Sequence, residues 1–256
     1  MKRGAAWPFV VALAILAFAM LWPTVALLLS VPPSSVADAF AAQSVRGAAL
    51  TSLVASMCAV IAATILGVPA ACELARWRDT SRSVALFVLA LPLAFPPVAS
   101  GILLLNVIGV HTPFGAWLST HGIFLVDSLA GVALAEFFVS GSFVVIAATA
   151  AFRAVDPIYD EAAATLGASR VQTFWRIALP LAAPNILAGV LLAWLRAIGE
   201  YGATSIVAYR PTSLPIALYV TLSAQGIRPA LALSYGFVVL AALVIAVQWA
   251  VRRHVV

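Results

Sequence analysis

Two charged residues and a hydroxyl recur at intervals of four in an otherwise apolar stretch: Arg196, Glu200 and Thr204. At this spacing they are predicted to share one face of a helix. A charge at the centre of a bilayer costs about 2.5–3.5 kcal/mol, so ionisable side chains within spans usually face a bundle interior or a wet path. Glu136 is a further candidate, in another apolar stretch. This face could line a translocation path or its gate, with Arg196 neutralised by Glu200 or Glu136 when no anion is passing. The alternative is a structural ion pair that locks two helices.

A polar interruption lies between residues 161 and 180. Asp156 followed by Pro157 predicts a helix start just before it. An aspartate accepts hydrogen bonds from free N–H groups there, and proline has no N–H to lose in a first turn. Gly167 suits the left-handed residue that ends a helix. The sequence therefore predicts a short capped helix that ends in a glycine turn.

A second short helix is predicted after this turn. Ser169 and Gln172 have the spacing of a capping box, in which each side chain satisfies a backbone N–H at the helix start. Apolar residues then recur at i, i+3, i+4 and i+7 and are predicted to share one face: Val171, Phe174, Trp175 and Ala178. Such a face can pack on a membrane bundle or lie in a groove of a partner. The alternative is an interfacial amphipathic loop without a partner.

The composition places the chain in a bilayer. Hydrophobic residues make up 64%, charged residues 9%, and the mean hydropathy is +1.11, whereas about a quarter of the residues of a soluble domain are charged. A membrane helix needs about 20 apolar residues. Six such spans are predicted, at residues 7–29, 48–72, 83–109, 124–150, 184–208 and 230–251. The expected fold is all-α: a polytopic membrane protein of about six transmembrane helices, with residues 1–256 as a single domain and the loop at 153–180.

Prolines interrupt the third predicted span at Pro92, Pro96 and Pro97. Each removes a backbone donor, so a helix kink is predicted. The kink is either a hinge beside a pathway or a static bend needed for packing.

The basic residues predict that both termini lie in the cytoplasm, since lysine and arginine near helix ends are retained on that side. Ten of the 14 then lie inside, namely Lys2, Arg3, Arg76, Arg78, Arg82, Arg153, Arg170, Arg176, Arg252 and Arg253. The 153–180 loop falls on the same side. The net charge of +5 reflects this sidedness, and the scattered arginines do not form a nucleic-acid footprint.

The first span could instead be a cleaved signal peptide, with Lys2 and Arg3 as its basic region and small residues near 37–39 as the cleavage site. The apolar run at 9–31 is longer than the usual 7–15 residues, so a retained helix is expected.

The residue inventory argues against catalysis in this chain. A phosphate-binding Walker loop needs a lysine after its glycines, and the only lysine is Lys2. ATP and magnesium are therefore expected in a partner, with no cofactor here. Cys58 and Cys72 fall in or beside the second span and are interpreted as packing residues, and no metal cluster is predicted.

The loop at 153–180 resembles the cytoplasmic loop of ABC-importer membrane subunits. The matching positions are Glu161, Ala162, Ala163, Gly167, Ile177, Leu179 and Pro180. In that family the loop docks on the ATP-hydrolysing subunit, so the resemblance implies a coupling loop that also contains Asp156, Phe174 and Trp175. It further implies a permease of the bacterial inner membrane. The implied partners are a second copy of the chain, an ATPase dimer and an external substrate-binding protein.

The run from Arg196 to Thr204, Arg-Ala-Ile-Gly-Glu-Tyr-Gly-Ala-Thr, is similar to molybdate-type and sulfate-type permeases. The resemblance covers roughly residues 48–251, and the first helix looks like an addition found in some members. It implies import of an oxyanion, molybdate or tungstate first and sulfate or thiosulfate next. The implied pathway or gate residues are Glu136, Arg196, Gly199, Glu200, Gly202 and Thr204. Phosphonate, ferric iron, another small solute, and a stand-alone channel or carrier remain alternatives.

Overall fold

A computed structural model describes the backbone of residues 7–255 and the side chains of residues 7–250. Lys2, Arg3 and the side chains of Arg252 and Arg253, which contribute to the predicted orientation, lie outside these ranges. The helices are α1 Trp7–Ser30, α2 Pro33–Ala41, α3 Gln43–Arg76, α4 Asp79–Ala94, α5 Pro97–Ile108, α6 Pro113–Thr120, α7 Leu129–Arg153, α8 Ile158–Thr165, α9 Arg170–Thr173, α10 Leu179–Ile198, α11 Gly202–Val207, α12 Leu214–Gln225 and α13 Ile227–Val255. A π-helical turn, Phe174–Ala178, joins α9 to α10.

The all-α membrane architecture is confirmed. Five helices are long and apolar enough to cross a bilayer: α1, α3, α7, the continuous helix Arg170–Ile198, and α13. A sixth span is possible if the bent pair α4 and α5 is counted as one. Residues 7–250 therefore contain the number of spans that the composition predicted.

The centre of the bundle is formed by α3, α7 and α10, which pack against one another. Small residues make this possible, because their short side chains let backbones approach closely. A Cβ atom added to Gly189 of α10 would lie 2.3 Å from the Cβ of Ala147 in α7. Ala193 and Ala197, one and two turns further along α10, are fully buried.

Helix α1 is peripheral and has no buried residue. It touches α13, where the Tyr235 hydroxyl donates to the Leu28 carbonyl oxygen at 2.9 Å. The predicted first helix is therefore present, but it contributes little to the core of a single chain.

The third predicted span is wrong as one continuous helix. Helix α4 continues through Pro92 and ends at Ala94, and α5 starts at Pro97 with a bend of 105°. The break therefore lies at Phe95 and Pro96. In the turn before Pro92, the Leu89 carbonyl oxygen accepts a hydrogen bond from the Ser142 hydroxyl at 2.6 Å. Such a bond from a neighbouring helix compensates for backbone pairing that a proline disrupts.

The fifth predicted span begins too late and ends too late. Its helix starts at Arg170, where the second short helix of the loop was expected, and runs without interruption to Ile198. That short helix is therefore the first part of the span. The helix continues through both Pro180 and Pro184, so neither proline marks the start of the span.

Candidate pathway and docking sites

Two helix breaks meet where α10 ends. One separates α4 from α5, and the other, at residues 199–201, separates α10 from α11. Gly202 lies against the first break, since an added Cβ would be 2.3 Å from the Cβ of Pro97. Gly101 of α5 lies as close to α11, since its added Cβ would be 2.9 Å from the Ala203 carbonyl oxygen. Irregular backbone at membrane depth is tolerated where it is buried in protein or lines a cavity. At the second break Glu200 and Gly202 are buried, whereas Phe95 and Pro96 of the first break are exposed.

Arg196 and Glu200 form an ion pair at the second break, with 2.6 Å between Nη2 and Oε2. The other carboxylate oxygen of Glu200 accepts the N–H of Ala203 at 2.8 Å, in the first turn of α11. The Glu200 side chain is 1% exposed and the Arg196 side chain 33% exposed. The buried Glu200 carboxylate thus binds the Arg196 guanidinium, and about a third of the Arg196 side chain remains exposed.

Thr204 does not continue this line of groups. Its hydroxyl is buried and donates to the Glu200 carbonyl oxygen at 2.8 Å. The prediction of one uninterrupted helical face through Arg196, Glu200 and Thr204 is wrong, because α10 ends at Ile198. Gly199 is exposed, and an added Cβ would come no nearer than 3.6 Å to a neighbouring atom, so close packing does not require a glycine there.

Glu136 is fully buried in α7. Both of its carboxylate oxygens lack a hydrogen-bond partner among the described residues. The sequence left open whether Glu136 or Glu200 pairs with Arg196, and the structure assigns that role to Glu200. Glu136 is therefore a buried acidic group without a cation or donor of its own.

The loop between α7 and α9 is built from the local signals found in the sequence. The Asp156 carboxylate accepts the N–H of Ile158 at 2.9 Å, as predicted for a cap. Gly167 has a φ of +77°. The N–H groups of Gly167 and Ala168 bond to the carbonyls of Ala164 and Ala163, the Schellman pattern that ends a helix at a left-handed residue.

The capping box at the start of α9 is also confirmed. The Gln172 N–H donates to the Ser169 hydroxyl at 3.3 Å, and the Ser169 N–H donates to the Gln172 side chain at 2.8 Å.

The predicted apolar face of the second short helix is wrong. Phe174 and Ala178 pack inward, with the Phe174 ring 6.1 Å from that of Phe152, whereas Val171 and Trp175 are 67% and 62% exposed. The two i, i+4 pairs diverge because adjacent residues of a helix such as Phe174 and Trp175 point about 100° apart, so one pair packs inward and the other faces outward. In the same stretch, a π-helical turn is closed by the Leu179 N–H, which bonds to the Phe174 carbonyl.

The result is an exposed apolar surface around α8 and α9. Its members share high exposure at one end of the bundle: Ile158, Tyr159, Leu166, Val171 and Trp175. Among the coupling-loop residues implied by the resemblance, Glu161, Ala162 and Gly167 are exposed beside it, whereas Ala163 is buried and Ile177 and Leu179 are partly buried.

Asp127 is a structural residue that was not predicted from the sequence. Its Oδ1 accepts the N–H groups of Tyr209 at 2.9 Å and Arg210 at 3.3 Å, and its own N–H donates to the Val207 carbonyl. Asp127 thereby fixes the chain where it leaves α11. The acidic and hydroxyl residues Asp127 and Ser128 before an apolar run are a helix-start signal, but the contact 82 residues away is not visible in the sequence.

Comparison with known proteins identifies the family. Residues 63–255 match the model of the binding-protein-dependent transport system inner membrane component. The chain belongs to this family. The permease is 41% identical over 210 residues to a probable molybdenum ABC transporter permease protein of Haloferax volcanii, covering 82% of this chain and 77% of that one.

Two further relatives of the permease have related names. A molybdate/tungstate transport system permease protein of Pyrococcus abyssi is 33% identical, covering 69% of this chain and 66% of the relative. A sulfate transport system permease protein of Synechocystis is 38% identical, covering 56% and 52%.

Solved structures agree on the fold. A bacterial alginate ABC transporter, crystallised with an alginate-bound periplasmic protein, has a chain that aligns with a TM-score of 0.74 at 19% identity. The alignment covers 98% of the permease and 96% of that chain.

Proposed function

We propose that two copies of this permease form the pathway of an ATP-driven oxyanion importer. A separate subunit pair binds ATP and magnesium and hydrolyses the nucleotide, and an external binding protein delivers the substrate. The ATPase cycle switches the two permease copies between inward-open and outward-open states. In this arrangement both termini and the 153–180 loop lie on the cytoplasmic side of a bacterial-type inner membrane, and the permease itself catalyses no reaction.

The observation that carries the pathway is the unequal exposure of the Arg196 and Glu200 pair. The Glu200 side chain is buried and both of its carboxylate oxygens have partners, whereas the Arg196 side chain is partly exposed. A guanidinium has five donors in a planar fork that suits oxyanions, and Glu200 occupies only part of that fork. Arg196 is thus a cation whose charge is compensated at rest and which retains donors for a passing anion. Glu136, Gly199, Gly202 and Thr204 belong to the same region as the gate residues of the proposal.

A purely structural pair would need no open side. Replacing Arg196 separates the two roles, because a pathway residue affects transport in a complex that still assembles.

The substrate proposed first is molybdate or tungstate. The support is the run from Arg196 to Thr204 and the names of the Haloferax and Pyrococcus relatives. Sulfate or thiosulfate is the second candidate, because the Synechocystis relative carries a sulfate name. Phosphonate and ferric iron are the remaining alternatives.

Uptake into membrane vesicles tests the pathway and the substrate together. Labelled molybdate is supplied with unlabelled tungstate, sulfate, phosphonate or ferric iron as competitor. We expect tungstate to compete best, and Arg196→Gln to lower uptake at least about 100-fold, the loss associated with one charge-stabilising donor. Arg46→Gln, which removes an exposed arginine near the start of α3, should leave uptake unchanged. Full uptake by an assembled Arg196→Gln complex would reject the pathway role.

Docking of the 153–180 loop is tested by copurification of the ATPase subunit. The exposed apolar surface around α8 and α9 supports this role, because an apolar helix face fits a groove on a partner. Trp175→Ala should reduce the ATPase recovered with the permease. Trp117→Ala changes an equally exposed tryptophan of α6 and serves as control. If no ATPase copurifies with the unmodified chain, a channel or carrier becomes the better explanation.

A further inference from the structure

Helix α8 is loosely attached to the rest of the bundle. Its one buried residue is Ala163, and Ile158 and Tyr159 of its first turn are exposed. A cavity of about 390 Å³ separates its start from the bundle, lined among others by Cys72, Phe152 and Ala178. Apolar packing therefore gives α8 little mechanical connection to the spans.

Charged contacts take the place of that packing. Three charged residues spaced by three each contact a different element, namely Glu73, Arg76 and Asp79. Arg76 Nη2 lies 2.9 Å from Asp160 Oδ2 in α8. Glu73 Oε2 lies 4.0 Å from Arg170 Nη1 in α9. Asp79 Oδ1 lies 4.0 Å from Arg153 Nη2 in α7 and also contacts Arg82.

We infer that this 73–79 ladder, defined by Glu73, Arg76, Asp79 and their partners, transmits the displacement of α8 into the membrane spans. The inference rests on the proposed function, in which the ATPase moves the loop. Asp160 and Arg76 are its central pair and act as positioning residues. Without them, α8 would be attached to the spans only by its chain connections to α7 and α9 and by the packing of Ala163.

Helix α3, which carries Glu73 and Arg76, is suited to receive this displacement. Helix α3 is 34 residues long, which at 1.5 Å per residue is about 50 Å, and it packs on both α7 and α10. Twenty residues before Arg76, the Ser56 hydroxyl accepts the indole N–H of Trp194 at 2.9 Å. Trp194 lies two residues before Arg196. One continuous helix, which contains Pro69 between these two contacts, thus connects the ladder with the end of α10 that carries the gate.

A charge exchange tests the central pair. The variants are Arg76→Asp, Asp160→Arg and the double exchange, each assembled with the ATPase and binding protein. We expect each single variant to keep hydrolysing ATP but to lose about tenfold in molybdate taken up per ATP, and the double variant to recover to within about twofold, as coupled residues do. Arg78→Asp reverses an exposed arginine that makes no ion pair within residues 7–250 and should keep the unmodified ratio.

A second measurement does not depend on the transported ion. Spin labels at Leu66 of α3 and Thr165 of α8, both exposed, report whether the two helices move together. With the ladder intact, their distance should be the same without nucleotide and with ATP and vanadate. In each single variant it should shift or broaden by several ångströms with nucleotide, and in the double variant it should return to the unmodified behaviour.

The outcomes separate the two proposals. Failure of the unmodified chain to copurify with an ATPase rejects the proposed function. Copurification with unchanged distances and unchanged coupling in the single variants overturns the ladder alone. A double variant that stays as impaired as the singles shows that Arg76 and Asp160 do not act through each other, and also overturns it.

Discussion

The 153–180 loop and the region of the two helix breaks are organised in opposite ways. In the loop, the helix caps and the glycine turn are formed by hydrogen bonds between residues at most five positions apart, as in the Gly167 turn and the Ser169 cap, and one long-range pair, Arg76 with Asp160, attaches α8 to α3. At the breaks, the shaping contact joins Pro97 with Gly202, about a hundred residues later. The loop presents an exposed apolar surface, whereas Glu200 and Gly202 at the second break are buried. A docking surface can thus be encoded locally, but a gate between helices depends on distant parts of the chain arriving together.

The largest loss of stability should come from adding a side chain at Gly202, where the two helix breaks touch. Gly202→Val places a Cβ within 2.3 Å of Pro97 and 2.9 Å of its carbonyl carbon, so backbone must move. We expect a loss of about 3 kcal/mol, the upper part of the range for overpacking, seen as a lower midpoint of thermal unfolding in detergent. Gly199→Val meets no atom nearer than 3.6 Å and should cost far less. Equal effects at both positions would contradict the close packing of the breaks.

Neutralising the two buried carboxylates should affect the stability of the protein differently. Glu200→Gln removes the charge that binds Arg196, and we expect a loss of about 1.5–3 kcal/mol of stability, since hydrogen bonds to charged groups contribute about that much. Glu136→Gln removes an acid that has no partner among the described residues, so the unfolding midpoint should stay or rise. The same thermal measurement serves both. A large loss in Glu136→Gln would mean that this side chain has a stabilising role.

Replacing Gly167 should cause a smaller loss of stability, through the local backbone conformation alone. Its φ of +77° disfavours any residue with a Cβ, although an added Cβ would meet no atom within 4 Å. Gly167→Ala should therefore cost about 1 kcal/mol through the backbone alone. Gly47→Ala, in α3 with equally open surroundings, should stabilise by about 0.5–1 kcal/mol, because glycine is the poorer helix former. Unfolding midpoints that move in the same direction would rule out this explanation.

The smallest effect should come from the cap of α9. Ser169→Ala removes the hydroxyl that accepts the Gln172 N–H, at an expected cost of about 0.5–1 kcal/mol. Hydrogen exchange at the amides of Gln172 and Thr173 should accelerate, with the unfolding midpoint almost unchanged. Ser223→Ala, which removes a side-chain bond within α12, should leave these amides unaffected. Unchanged exchange in Ser169→Ala would show that the cap does not control this turn.

The sequence by itself determined the features that depend on neighbouring residues or on average hydropathy. Apolar runs predicted the all-α membrane fold, because backbone groups in lipid must pair within a helix. Asp156, Gly167 and the Ser169 box predicted the loop, because caps and left-handed turns are set by side chains a few residues away. Gly167 is also one of the positions that carried the resemblance to the importer family, and membership of that family is confirmed.

The tertiary structure alone decided where helices break and which charges meet. Pro92, Pro96 and Pro97 have the same chemistry, yet only Pro96 and Pro97 border the break, and Ser142 of α7 supplies a bond beside Pro92. Two acidic residues, Glu136 and Glu200, were candidates for pairing with Arg196, and in the structure Arg196 pairs with Glu200. The pairing of Arg76 with Asp160 joins residues 84 apart. Such contacts depend on how whole helices pack, and a spacing pattern within one segment carries no information about the segment packed against it.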